Sequence, residues 1–358
     1  MSPSVPLRRA YELFEKKNLD AILITSRENN RYLSRFTGSD STLLITAKEG
    51  GLFLFCDSRY TQQAQKECRG WNVIEYKTVV ETVTRRMKDL KLTKVGFESR
   101  HVSYNAYHRY LEALDTAVLV PIERLIDMIR VSKTKQEIAT IIKAVKIAEK
   151  AFLKTLPLMK PGIKEDEWAL ELEYAIRRGG SGSLPFDIIV ASGENAAMPH
   201  AKVTSKPIRK GDMVTIDFGA SFDGYNCDTT VTVAVGKPSP EMEEVYQVVL
   251  DAHDMAIEAA KPGMTMKALD AVARKHIEKK GYGKFFGHGL GHGVGLAVHE
   301  EPSVSPMGED VLEEGAVFTI EPGIYIPKKG GVRIEDMVYL NSKGAQQLTS
   351  IPKELKII

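Results

Sequence analysis

Cysteine is scarce in this 358-residue chain: Cys56, Cys68 and Cys227 are all it has. They form no CxxC pair and their number is odd, which leaves no even set for a disulfide framework and fits reduced thiols in a cytosolic protein. Long apolar runs are also lacking, so a membrane-spanning role is not expected. The opening "MSPSVPLRRAYELFEKK" carries two arginines with no apolar h-region behind them, so a secretory leader is not expected either. Charge of one sign is not in excess. Lys and Arg number 49 against 47 Asp and Glu, scattered rather than gathered, which argues against a nucleic-acid partner. The 43% hydrophobic content is that of an ordinary globular protein, and the length is large for one core, so two domains are expected.

The first third alternates element types. A helix is expected over Leu7 to Lys17, strands at "AILIT", "TLLIT" and "GLFLF", and a polar helix from Asp57 to Cys68, which together read as an α/β domain. A break falls near residues 121–135. Beyond it Ile138, Ile141, Ile142, Val145 and Ala148 recur at helical spacing, and Thr134 with Glu137 three residues on forms a capping box for that helix. Two segments then resemble each other: "MKPGIKEDEWALELEYAIRRGG" and "AKPGMTMKALDAVARKHIEKKG" each set a KPG, at Lys160 and Lys261, between helical stretches. Downstream of each lies a hairpin-like segment with two carboxylates, so the order helix, KPG, helix, hairpin occurs twice and predicts a duplicated α+β architecture.

The stretch "FFGHGLGHGVGLAVHEE" places glycine at every odd position from Gly287 to Gly295, with His288 and His292 between. Histidines four apart could share a helical face, but five glycines at about 0.8–1 kcal/mol each oppose a helix. An extended chain puts His288, Leu290, His292 and Val294 on one face and bare glycine on the other. The histidines would then lie roughly 13 Å apart, too far to be ligands of one ion. One would meet a metal or a reacting atom, and the other would sit further along a cleft. A glycine-rich loop with space-filling histidines competes with this reading, and no strict phosphate-loop frame fits.

In the first hairpin, "DMVTIDFGASFDGYNCDTTVTVAV", Asp217 is expected to oppose Asp228 across a turn near residues 222–223, one residue off the Asp223-Gly224 turn pair. In the second, Glu321 and Glu335 flank turn material centred on Lys328. Paired buried carboxylates are costly unless neutralised, and a metal ion is the usual solution. Four carboxylates and one imidazole suit two divalent ions that acidify a water and hold the oxygens of a tetrahedral intermediate. Oxygen-rich ligation is compatible with Mn²⁺, Co²⁺, Fe²⁺ or Zn²⁺.

The ordered segments "NAAMPHA", "IDFGASFDGYNCDTT", "GHGLGHGVGLAVHEEP", "TIEPGIY" and "VRIEDMV" resemble the pita-bread metallopeptidases, most closely the Xaa-Pro peptidases, aminopeptidase P and prolidase. The resemblance covers most of residues 135–358, and "RYLSRFTGSD" with "DSRYTQQAQ" extends it to a creatinase/prolidase-type N-domain, with Arg35 where glycine is common. It implies an α/β N-terminal domain over 1–128 and, over 129–358, an α+β pita-bread catalytic domain with an internal pseudo-two-fold repeat. It also implies that Asp217, Asp228, His292, Glu321 and Glu335 bind two metal ions, Mn²⁺ first among the candidates. His292 is preferred to His288 because it lies seven residues before His299, and His288 would face substrate. Glu321 would also be the general base toward a metal-bridging water. His200 and His299 would bond the substrate carbonyl and the intermediate, and Arg333 would order the carboxylates or bind the substrate end.

The activity so implied is an Xaa-Pro aminopeptidase acting on peptides with proline second. The Xaa-Pro bond is a tertiary amide without N–H, so peptidases that grip that donor cannot hold it. An Xaa-Pro dipeptidase is the alternative. A creatinase would have no use for the ligand set, and a metal-free binding module of this fold would be expected to lack it. A cytoplasmic homodimer without nucleic-acid or membrane partners completes the expectation.

Overall fold

The computed structural model describes residues 4–47 and 51–358. The first three residues of the opening stretch read for a leader lie outside that set. Contacts divide the chain into two compact units, Met1–Arg130 and Val131–Ile358, with the division inside the helix Leu125–Val131.

The first unit is a six-stranded mixed sheet in the order Asn72–Glu75, Leu52–Cys56, Thr42–Thr46, Ala21–Ile24, Lys94–Glu98, Val118–Ile122. The inner strands Ala21–Ile24 and Thr42–Thr46 are buried along their whole length, which is why they read as apolar runs rather than alternating ones. The helix expected from Leu7 runs Val5–Lys17. The helix expected from Asp57 begins four residues later, spanning Thr61–Glu67. Its start is delayed because the Asp57 carboxylate accepts the Arg59 backbone N–H at 2.9 Å, a local turn that competes with helix.

In the second unit, the helix Lys135–Thr155 opens on the capping box of Thr134 and Glu137. Each KPG closes one helix and admits the next. Gly162 (φ +96°) separates Lys135–Thr155 from Glu165–Arg178, and Gly263 (φ +83°) separates Pro240–Ala259 from Met266–Lys279. A left-handed backbone there favours glycine. An isolated bridge joins the residue before each second helix to a later segment, Lys164 to Pro207 and Thr265 to Val311. Each half then builds a sheet, and the last strand of the chain, Lys356–Ile357, joins that of the first half. One runs Lys356–Ile357, Thr229–Ala234, Met213–Phe218, Ile189–Ser192; the other runs Glu300–Val304, Gly291–Gly293, Val317–Ile320, Asp336–Asn341, Gly344–Gln347. The repeat of helix, KPG, helix and antiparallel strands is the duplicated pita-bread architecture. Phe152 of the first helix stacks on Phe218 of the sheet with centroids 5.1 Å apart, and fully buried Trp168 meets Phe152 edge-on.

The hairpin registers correct one expectation. Asp223 (φ +46°) and Gly224 (φ +74°) form a two-residue turn with Phe222 facing Tyr225. That register carries on into the longer strands, where Asp217 faces Thr230 rather than Asp228. The turn therefore centres between Asp223 and Gly224, with no bulge to absorb. Asp228 and Thr230 share a strand face through the two-residue period, so Asp228 lies diagonal to Asp217. In the second half Ile320 faces Asp336 and Gly323 faces Arg333, a register that sets Glu321 opposite Glu335.

Candidate metal centre

Regular strand in the glycine-histidine stretch is confined to Gly291–Gly293, and the backbone bends at His288, at Leu290 and over residues 295–299, so the continuous extended chain expected there is not formed. His292 faces Ser303 of the neighbouring strand and donates its backbone N–H to Thr319 Oγ1 at 3.0 Å. The glycines are demanded by close approach. A Cβ at Gly291 would lie 2.0 Å from the Thr319 carbonyl oxygen, and one at Gly293 would lie 2.1 Å from that of Glu301. His288 and His292 both line one cavity, while Leu290 and Val294 are fully buried in the core.

The two histidines have separate partners. His292 points Nε2 at carboxylates, 3.3 Å from Glu321 Oε1 and 3.6 Å from Asp228 Oδ2. His288 bonds through Nε2 to the Tyr325 hydroxyl at 2.9 Å. Its backbone is tied to the helix Met266–Lys279 by Arg274, which donates to the His288 carbonyl at 2.7 Å and is itself paired with buried Asp270. Burial holds both imidazoles below the usual histidine range. A neutral ring is the form a metal can use.

Asp228, His292 and Glu335 each offer a ligand atom within 4.8 Å of the others'. Asp217 and Glu321 join them in the lining of the same cavity of about 860 Å³. Burial pushes the Asp228 carboxyl well up, reinforced by Glu335, Asp217 and Glu321; burial, then Glu321 and Asp217, does the same to Glu335. Glu321 is also raised by burial, against the pull of His288 and Arg333. Four carboxylates thus converge with one guanidinium to balance them, and Oδ1 of Asp217 and Oδ1 of Asp228 are buried without a hydrogen-bond partner among the described residues. Orphaned oxygens beside an imidazole nitrogen, in a cluster short of positive charge, are what a divalent cation would satisfy.

Arg333 is 4% exposed and fully engaged. It donates to Asp217 Oδ2 at 2.6 Å, Thr230 Oγ1 at 3.0 Å, the Tyr325 hydroxyl at 3.1 Å and the Pro199 carbonyl at 3.0 Å. Of these contacts, the one with Asp217 is to a carboxylate of the cluster. His200 and His299 are exposed and line the cavity, with the His299 ring centroid 4.1 Å from that of His292. The segment leading to His200 is held by fully buried Glu165, which accepts from Ser192 N at 2.8 Å, Asn195 Nδ2 at 3.0 Å and Thr204 Oγ1 at 2.6 Å.

Sequence reasoning missed Thr230, Thr319 and Tyr325. Thr230 Oγ1 donates to Glu335 Oε2 at 2.8 Å while accepting from Arg333, and Thr319 Oγ1 donates to Glu321 Oε1 at 3.1 Å. Strand alternation from Asp228 could have found Thr230; nothing in the pattern marks Tyr325.

Residues 139–342 match metallopeptidase family M24, and residues 6–132 match the creatinase/prolidase N-terminal domain. The chain is 39% identical to an Xaa-Pro dipeptidase of Pyrococcus furiosus over 98% of its own length and 99% of that protein's. Among solved structures, it is 40% identical to an Xaa-Pro dipeptidase from Bacillus anthracis, with a TM-score of 0.94 and 99% of each chain covered. An X-Pro aminopeptidase from Thermotoga maritima is also 40% identical, with a TM-score of 0.91 over 98% of this chain and 99% of that one. Fold and carboxylate cluster together define a pita-bread peptidase. The chain belongs to metallopeptidase family M24 and carries that family's catalytic domain behind a creatinase/prolidase N-terminal domain.

Proposed function

We propose that this chain is a metal-dependent Xaa-Pro aminopeptidase, with the metal held by Asp217, Asp228, His292, Glu321 and Glu335. The observation that carries the reading is the buried carboxylate cluster converging on His292 with two oxygens unpartnered. Two divalent ions, Mn²⁺ first among Mn²⁺, Co²⁺, Zn²⁺ and Fe²⁺, would supply Lewis acidity and bring a water's acidity to near neutral pH.

The protein's own groups do the rest. Glu321, a carboxylate that burial makes more basic, takes the proton of the attacking water and passes it to the leaving proline nitrogen. Thr319 holds Glu321 Oε1 and the backbone of His292 through one hydroxyl, so base and ligand move together. His200 and His299 donate to the carbonyl oxygen as it becomes an oxyanion. His288, fixed by Tyr325 and Arg274, forms the wall on the substrate side. Because no step needs an N–H at the scissile bond, a tertiary amide is accepted.

A second reading, Xaa-Pro dipeptidase, is favoured by Lys202. It lines the cavity, is exposed, and makes no hydrogen bond or ion pair among the described residues, so its ammonium is free to meet a C-terminal carboxylate. The names of the Pyrococcus and Bacillus relatives agree with this reading. Incubating Mn²⁺-supplemented protein with an Xaa-Pro dipeptide and an Xaa-Pro-Xaa tripeptide, beside a chelated control, separates the two. Tripeptide cleavage abolished by chelator supports the aminopeptidase, and dipeptide cleavage alone moves the assignment to dipeptidase. No cleavage of either with Mn²⁺, Co²⁺ or Zn²⁺ rejects both and leaves a binding module. We extend the proposal to a cytoplasmic homodimer, which a monomeric mass by light scattering would refute.

A further inference from the structure

Behind the carboxylate cluster lies a second buried charged group that the proposed chemistry does not use. Lys353, near the end of the chain, is 7% exposed and faces inward. Its Nζ donates to the Glu335 carbonyl at 2.7 Å, to Thr229 Oγ1 at 3.2 Å and to the Thr230 carbonyl at 3.3 Å, and it pairs with Asp336 Oδ1 at 3.0 Å. Thr229 and Thr230 directly follow Asp228 at the head of the strand Thr229–Ala234, which belongs to the first half of the repeat. Glu335 and Asp336 enter the strand Asp336–Asn341 of the second half. Among the described contacts, Lys353 is a cation bonded at once to both of these segments.

The lysine is itself held. Tyr246 of the helix Pro240–Ala259 donates to the Lys353 carbonyl at 2.6 Å, and Lys356–Ile357 pairs in parallel with Val233–Ala234. Its counter-ion is held too. Asp336 accepts from Thr349 Oγ1 at 2.5 Å and Gln347 Nε2 at 2.8 Å, and lies 3.2 Å from His253 Nε2. Burial alone would raise the Asp336 carboxyl, but Lys353 and His253 outweigh it and hold it down to about 2.

We infer that Lys353 is a positioning residue for the metal centre: it clamps the segment after Asp228 to the backbone of Glu335, and so fixes the separation of two carboxylates contributed by opposite halves of the duplicated fold. The inference rests on the reading of those carboxylates as metal ligands. Lys353 touches neither carboxylate and acts through the main chain that bears them. Before metal arrives nothing at the site draws all four carboxyl groups of the two halves together, so a site without the clamp would spread and would have to be gathered on binding. That gathering weakens metal affinity while leaving the ligand set intact.

The test is titration of chelator-stripped full-length protein with Mn²⁺ by calorimetry, with circular dichroism as the check on folding. Lys353→Met is expected to bind Mn²⁺ about 10–100-fold more weakly than wild type, with Lys353→Arg recovering part of the loss. Because Lys353→Met leaves buried Asp336 with His253 as its remaining ion-pair partner, a second variant combines it with Asp336→Asn, removing both charges of the Lys353–Asp336 pair together. A folded single or double variant that binds Mn²⁺ within about twofold of wild type overturns the inference. Failure of both to fold also overturns it, since the lysine would then serve folding rather than the site. Wild type that binds no Mn²⁺ would instead sink the metal-centre reading beneath it.

Discussion

Arg333 and Asp217 meet at 2.6 Å between Nη2 and Oδ2, with side chains only 5% and 16% exposed. The same guanidinium reaches Thr230, which passes the contact on to Glu335, so one cation orders carboxylates in both hairpins. Removing one partner of a buried pair is costly, about 3–5 kcal/mol, because the other charge is left uncompensated. Arg333→Met is therefore expected to lower the unfolding free energy by that order. It should also reduce turnover about 10–100-fold through lost metal or misplaced ligands. Arg333→Lys keeps the charge but not the planar fork and should recover only part. Denaturant unfolding beside steady-state kinetics checks both.

The raised carboxyls of Asp228, Glu321 and Glu335 fix the sign of a pH effect. In metal-free protein these groups hold protons that the unfolded chain releases at the ordinary carboxylate range. Their contribution to stability is complete below that range and is lost as pH rises toward the raised folded values. Metal reverses the relation, because ligands must be deprotonated to bind. The increase in Tm on adding Mn²⁺ should thus grow as pH rises above the ordinary carboxylate range. A thermal-shift series in which the increment stays flat or shrinks would contradict the assignment of these carboxylates.

Two glycines of the same stretch should respond unequally to alanine. Gly291→Ala drives a methyl to 2.0 Å from the Thr319 carbonyl oxygen and should cost about 1–3 kcal/mol or more, with loss of activity through His292. Gly287→Ala meets nothing within 4 Å and should stay within about 0.5 kcal/mol of wild type. Urea unfolding of the pair decides it.

All three cysteines are buried and free. Burial raises the thiols of Cys56 and Cys227 and pushes that of Cys68 up to about 11, so each stays protonated near neutral pH. A thiol reagent at pH 8 should label none in the native protein and all three after denaturation. Rapid native labelling would show that one of these sites opens.

What the sequence made legible follows the reach of local rules. The capping box at Thr134, the KPG repeat and the facing of Glu321 by Glu335 are all written in short spacings, and the structure has them. Asp217 does not face Asp228 because the Asp223-Gly224 pair forms the whole turn, which moves the register and brings Thr230 opposite Asp217. The helix expected from Asp57 starts late because an aspartate side chain captures a nearby N–H. Tyr325 bonding to His288 and Lys353 bonding to Glu335 join residues 37 and 18 positions apart through tertiary packing, and periodicity carries no information about such pairs.

We propose that His292, not His288, holds metal in a site that cleaves Xaa-Pro bonds. The direct measurement is metal content by elemental analysis after Mn²⁺ loading and desalting, for wild type, His292→Ala and His288→Ala, with Xaa-Pro cleavage followed on the same samples. His292→Ala is expected to lose bound metal and turnover together, while His288→Ala is expected to keep its metal and lose turnover. Metal retained by His292→Ala and lost by His288→Ala would contradict it.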